Sequence, residues 1–144
     1  FTYSHINSMQ NYGHQNQSLA HPLEANFFEG LAILGYQNNN LDLCIKYAFQ
    51  RYGKDFQLFN FGGNMFNSYV VRDSDYGHLV GQGNTINQHV FEFRASLLLI
   101  AMTNTKLFTQ FNYRYNRAMN NSISSSTLIS LGISSNLWQS YMDY

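Results

Sequence analysis

From Val90 to Tyr115 the chain alternates, residue by residue, between greasy and polar side chains in two consecutive runs. In the first run Phe91, Phe93, Ala95, Leu97 and Leu99 share one parity, and Glu92, Arg94 and Ser96 share the other. In the second, Leu107, Thr109, Phe111, Tyr113 and Tyr115 are set against Gln110, Asn112, Arg114 and Asn116. Successive side chains of a strand point to opposite faces. These runs are therefore strands with one apolar, aromatic face and one polar, charged face. A barrel wall with lipid outside and a wet lumen inside has this pattern.

Composition points the same way. Charged residues make up 11% of the 144, against roughly 25% in soluble domains, while 11 Tyr and 12 Phe bring the aromatics to 17%. A wall with aromatic girdles and polar loops uses residues in this proportion. The net charge of zero gives no general attraction to nucleic acid or acidic lipid. Cys44 stands alone, so neither an internal disulfide nor a cysteine-based zinc site is expected. The longest apolar run, 95–102, is far short of the roughly 20 residues of a membrane helix.

The alternation predicts about six strands, at 1–6, 26–37, 41–52, 88–102, 106–119 and 128–144. The later five are each long enough to cross a bilayer at the tilt that barrels adopt, whereas ordinary strands average about 5–6 residues. In the last, Ile129, Leu131, Ile133 and Leu137 share one parity and Trp138, Met142 and Tyr144 the other, so a β-bulge is expected near 136–139. The aromatic terminus at Tyr144 resembles a barrel-assembly signal. The fold class expected is all-β: an antiparallel transmembrane β-barrel, with 1–144 as its C-terminal part and no separate domain. Closed membrane barrels start at eight strands. Further strands are therefore expected before Phe1 or from a second chain, together with an export signal upstream.

Connections alternate between short and long. Asn38-Asn39-Asn40 and Thr103-Asn104-Thr105 are tight turns, the asparagines suiting left-handed backbone. Segments 7–25 and 53–87 are long, and 120–126 is Ser-rich. Outer-membrane barrels have short periplasmic turns and long extracellular loops, so these three loops are expected outside the cell.

The polar parities carry Glu29, Lys46, Glu92, Arg94 and Arg114, which suit a charge network in the lumen or a selectivity lining. His5, His14, His21, His78 and His89 show no metal-ligand spacing, and neither a catalytic triad nor a phosphate-binding loop is present. Gly62-Gly63 and Gly81-Gln82-Gly83 precede no helical pattern and read as loop. The 53–87 segment mixes aromatics with Asn, Asp and Arg, a composition that suits sugar recognition or a lumen plug. Its candidate ligand-binding residues are Tyr69, Arg72, Asp75, Tyr76 and His78. No catalysis, cofactor, metal or nucleic acid is expected.

Two stretches carry a family resemblance. Tyr3-Ser4-His5 followed by Tyr12-Gly13-His14-Gln15-Asn16-Gln17-Ser18-Leu19-Ala20-His21-Pro22-Leu23-Glu24-Ala25-Asn26-Phe27 resembles the Wzi-like capsule-assembly family, in the Bacteroidota branch that includes the gliding-associated RemB. Phe49-Gln50-Arg51-Tyr52-Gly53-Lys54-Asp55 is similar to that family's strand ending in an Arg-x-Gly element. Glu24 departs, standing where Gly is common. The resemblance covers about residues 1–87, and the remainder shares only the barrel pattern. It implies a bacterial outer-membrane barrel with many strands upstream and a largely plugged lumen. The implied role is to bind or tether surface or capsular polysaccharide without catalysis, with membrane lipid and polysaccharide as partners. Alternative expectations are a structural subunit of a gliding or secretion complex with other outer-membrane proteins, a porin-like transporter, or a soluble β-sandwich.

Overall fold

A computed structural model describes residues 3–7, 9–55, 59–72 and 74–136. The chain is all-β and antiparallel. A two-residue pair, β1 (Gly13–His14) and β2 (Gln17–Ser18), precedes five long strands. These are β3 (Phe27–Gln37), β4 (Leu41–Lys54), β5 (Asn84–Ile100), β6 (Thr105–Ala118) and β7 (Ile123–Ser134). They form one sheet in sequence order, β3-β4-β5-β6-β7. At 11, 14, 17, 14 and 12 residues, each reaches the roughly 9–11 residues of a tilted membrane strand. Among the described residues no helix is long and apolar enough to cross a membrane.

The strand expected at 1–6 is not formed over its described residues. Tyr3 lies in a turn, and its backbone carbonyl instead accepts the Tyr12 N–H at 3.2 Å. The described residues thus form five long strands rather than six. The β-bulge expected near 136–139 and the terminal signal expected at Tyr144 lie outside the described residues, which end at Asn136.

The chain divides into two compact units. One takes in the described parts of 31–47, 90–114 and 126–144 and contains the short turns. In the first turn the Asn38 N–H reaches the Leu41 carbonyl at 2.8 Å. No residue of 38–40 has a positive φ; the Asn38 side chain instead accepts the Asn39 N–H at 2.7 Å. The left-handed asparagine is at the other turn, Asn104, with φ 47°. Thr103, Thr105 and Ser135 join hydroxyl to hydroxyl at 2.6 and 2.9 Å.

In this unit Phe91 meets Phe111 edge-on across β5 and β6, at 6.2 Å between ring centroids. Phe108 falls on the polar parity, and its ring covers Gly132, where an added Cβ would come within 2.6 Å. Leu34, Leu97, Leu99, Ile129, Leu131 and Ile133 are all exposed. Monomeric soluble proteins rarely leave contiguous apolar surface of this kind open.

The second unit takes in the described parts of 1–30, 48–89 and 115–125, and with them the long connections. On the apolar parity, one aromatic row crosses four strands. Phe28 of β3 meets Phe49 of β4 at 6.4 Å, Phe49 meets His89 of β5 at 5.1 Å, and His89 meets Tyr115 of β6 at 6.1 Å. Among the described residues, Ala48 and Met65 are the only buried apolar side chains, and both belong to this unit.

Candidate functional site

The 53–87 segment is built on close backbone approaches around one buried amide. Asn26 donates to the carbonyls of Gly53 at 3.3 Å and Gln82 at 2.8 Å, and accepts the Gly81 N–H at 2.7 Å. A single side chain thereby joins the start of β3 to both ends of the segment. A Cβ on Gly53 would lie 1.9 Å from the Gln82 carbonyl oxygen, so no other residue fits there without backbone movement. Asp55 then accepts the N–H groups of Phe61 at 2.9 Å and Gly63 at 3.0 Å. Met65 is 1% exposed, and its N–H donates to the Glu24 carboxylate.

Glu24 has φ 63°, a left-handed backbone that glycine adopts at least cost. That is a physical reason for glycine at this position. Here the glutamate side chain adds a clasp to Met65. Burial raises the Glu24 carboxyl above its ordinary range, the Met65 N–H lowers it in part, and the nearby Asp55 charge raises it further.

Beyond this floor the segment turns outward. Asn60 pairs with Arg72 in a parallel bridge, and its N–H reaches the Val71 carbonyl at 2.9 Å. The Ser68 hydroxyl caps the short 3-10 turn Tyr69–Val71. Arg72 donates through Nε to Asp75 Oδ1 at 2.6 Å, with Nη2 at 2.5 Å from the same oxygen. Its Nη1 donates to the Tyr69 carbonyl at 3.2 Å, and the guanidinium lies 5.9 Å from the centre of the Tyr69 ring. His78 Nε2–H donates to the Ser74 carbonyl at 2.7 Å. Tyr76 is 89% exposed.

The five residues singled out in the sequence, Tyr69, Arg72, Asp75, Tyr76 and His78, line one cleft of about 480 Å³. Clefts of 300–1,000 Å³ are the usual size for small ligands. This one offers an uncovered aromatic ring, a second ring fixed by a cation, and a carboxylate beside a guanidinium. Rings stack on the C–H faces of sugars, and the carboxylate and guanidinium supply an acceptor and donors to hydroxyls.

The charges on the polar parities form two small clusters rather than one network. Glu29 accepts from Gln50 at 2.7 Å and lies 3.1 Å from His21 Nε2. His21 Nδ1 accepts the Leu23 N–H, so Nε2 carries the proton toward Glu29. The ring also stacks on Phe27 at 4.2 Å. Glu92 accepts from Arg94 at 2.9 Å and from Gln110 at 3.2 Å. Among the described residues Lys46 and Arg114 enter no ion pair.

Sequence reasoning missed a second cleft of about 330 Å³, lined by Tyr3, Ser4, Gln10, Asn11 and Tyr12. The rings of Tyr3 and Tyr12 stack at 5.8 Å. Only the pairing of two tyrosines nine residues apart hints at it in the sequence. The β1–β2 pair falls within the 7–25 connection, where the composition predicts loop. Gln15 and Asn16, with φ 49° and 60°, form its two-residue turn, both in the left-handed region that such hairpins require. No known protein family, curated protein or solved structure matches this chain.

Proposed function

We propose that this chain is part of an outer-membrane β-barrel whose surface loops bind or tether surface polysaccharide, without catalysis. The observation that carries the reading is the Tyr69–His78 cleft, in which exposed aromatic surface and paired polar groups converge. The setting supports it. Strands of spanning length with uncovered Leu and Ile suit a lipid phase. The aromatic row Phe28–Phe49–His89–Tyr115 suits a girdle at a membrane interface. Membership of the Wzi-like capsule-assembly family in its Bacteroidota branch, and a place in the bacterial outer membrane, belong to the same proposal.

The test is a glycan array probed with the intact protein in detergent. Binding that falls at least tenfold with Tyr76→Ala supports the reading; a protein that binds no glycan, or binds independently of Tyr76, refutes it. Among the described residues β3 and β7 are the edge strands of the sheet, which favours a second reading, a structural subunit whose sheet continues into other outer-membrane proteins. Stable co-purification with such proteins, together with no glycan binding, would support that role instead.

A further inference from the structure

The Tyr3–Tyr12 cleft and the Tyr69–Tyr76 cleft belong to the same compact unit and are joined by one peptide link. Tyr3 and Ser4 line the first, and the next residue, His5, sets its ring edge-on against Tyr69 of the second at 6.2 Å. His5 is itself held, because its Nδ1 accepts the Asn7 N–H at 3.2 Å. The first cleft offers two stacked rings, a hydroxyl and two primary amides, the same kinds of group that suit the second to sugars. Among the described residues, its lining contains no Asp, Glu, Lys or Arg. In the second cleft the one guanidinium already binds Asp75 at 2.6 and 2.5 Å, so an anionic glycan would have to displace that carboxylate.

We infer that the Tyr3–Tyr12 cleft is a second sugar subsite, continuous with the first, and that the two together hold consecutive residues of an uncharged polysaccharide chain. The inference rests on the glycan-binding reading above and adds to it an extended groove and a ligand class. Tyr12 holds its place through backbone bonds, its N–H to the Tyr3 carbonyl and its carbonyl to the Leu19 N–H, both at 3.2 Å. Truncating its side chain therefore leaves those bonds in place.

The experiment titrates the intact protein in detergent with neutral gluco-, manno- and galacto-oligosaccharides of one to six residues, and with oligoguluronates as the acidic series. Affinity for the best neutral series should rise about tenfold or more from the disaccharide to the tetrasaccharide, about the contribution of one further aromatic platform. Tyr12→Ala should abolish that rise and leave disaccharide binding unchanged; Gln10→Ala, at an exposed position, should reduce it. Tyr76→Ala should weaken every length. Binding that needs Tyr76 but does not depend on chain length or Tyr12 overturns the second subsite alone. A preference for oligoguluronate overturns the uncharged class. Absence of any binding overturns both this inference and the reading beneath it.

Discussion

Arginines placed at two neighbouring positions of β5, Leu97 and Ser96, distinguish a lipid-facing sheet from a water-facing one. The two side chains are one residue apart, about 3.3 Å along the strand, and point to opposite faces. Leu97 lies on the apolar parity and is 43% exposed; Ser96 lies on the polar parity. Burying a leucine fully is worth about 1.5–3 kcal/mol, so the exposed fraction of Leu97 leaves roughly 1 kcal/mol still to be gained from an apolar phase. Leu97→Arg forfeits that gain and adds the cost of a charge on the lipid face, about 2–4 kcal/mol at the bilayer midplane and about 1–2 kcal/mol here, three residues from the end of β5 at Ile100. The sum is about 2–3 kcal/mol, about two decades in the folding equilibrium. Ser96→Arg faces the polar side and should cost less than about 1 kcal/mol.

The measurement is reversible urea unfolding of the intact protein in phospholipid vesicles, followed by far-ultraviolet circular dichroism. The midpoint should fall steeply for Leu97→Arg and barely for Ser96→Arg. On a sheet whose apolar face met water, both substitutions would lie within about 0.5 kcal/mol of the parent. Equal effects at the two positions, or a larger loss at Ser96, would refute the lipid-facing assignment.

Other predictions concern the loop. Gly53→Ala forces a Cβ against the Gln82 carbonyl and should destabilise by about 3 kcal/mol or more, seen as protease cleavage within 59–83. Met65→Ala empties the buried position beside Glu24 and should cost about 2–5 kcal/mol in thermal unfolding of the loop. Glu24 has a raised carboxyl, so its protonated form is favoured in the fold. Its contribution to stability is fully present below the ordinary value of 4.5 and is lost as pH rises through the raised one. Glu24→Gln should therefore flatten the rise in loop hydrogen-exchange protection as pH falls from neutrality toward the ordinary value of 4.5; an unchanged pH dependence would show that other groups control it.

The long strands were legible for different reasons. β4 begins at Leu41 as expected because Leu41, Leu43, Ile45, Tyr47 and Phe49 alternate with other residues. β3, apolar on both parities at 31–34, begins at Phe27, within one residue of expectation, on its apolar length and the Asn38–Asn40 turn that ends it. β5 begins at Asn84 rather than 88, since Asn84–Asn87 is polar on both parities apart from Ile86 and offers no period of two. β7 begins at Ile123 rather than 128, because Ser124–Ser126 resemble a loop by composition while Asn116 bonds Ser124 across the strands at 3.3 Å. At 1–6 the aromatic pattern was too short to separate a strand from a turn. Parity assigns a face but not a neighbour: Glu92 finds Arg94 on its own strand, and among the described residues Lys46 and Arg114 enter no ion pair. The Tyr69–His78 cleft was legible because its lining mixes aromatic rings with Arg72 and Asp75, a composition that marks recognition. The Tyr3–Tyr12 cleft spans as few positions, but its lining is Tyr, Ser, Gln and Asn, and the Tyr12 N–H to Tyr3 carbonyl bond that closes it leaves no mark in the sequence.

Sequence left open whether the 53–87 segment folds inward or faces solvent, and burial divides it between the two. Its earlier half contains Met65 at 1% and Asn60 at 3% exposure, with Asp55 and Asn60 supplying partners that a loop backbone lacks. Its later half, 74–80, is exposed throughout and is held by shorter-range contacts, among them Arg72 with Asp75 and His78 with Ser74. An ion pair at such an exposed site contributes little to stability, a median of about 0–1 kcal/mol, so its value lies in aiming groups. Rigidity and recognition are therefore carried by different residues. Arg72→Ala should leave thermal unfolding within about 1 kcal/mol of the parent while disordering the cleft wall, the inverse of Met65→Ala. If the two variants lost stability and ligand together and to the same degree, the loop would be one cooperative unit, and the cleft could not be assigned to its exposed half alone.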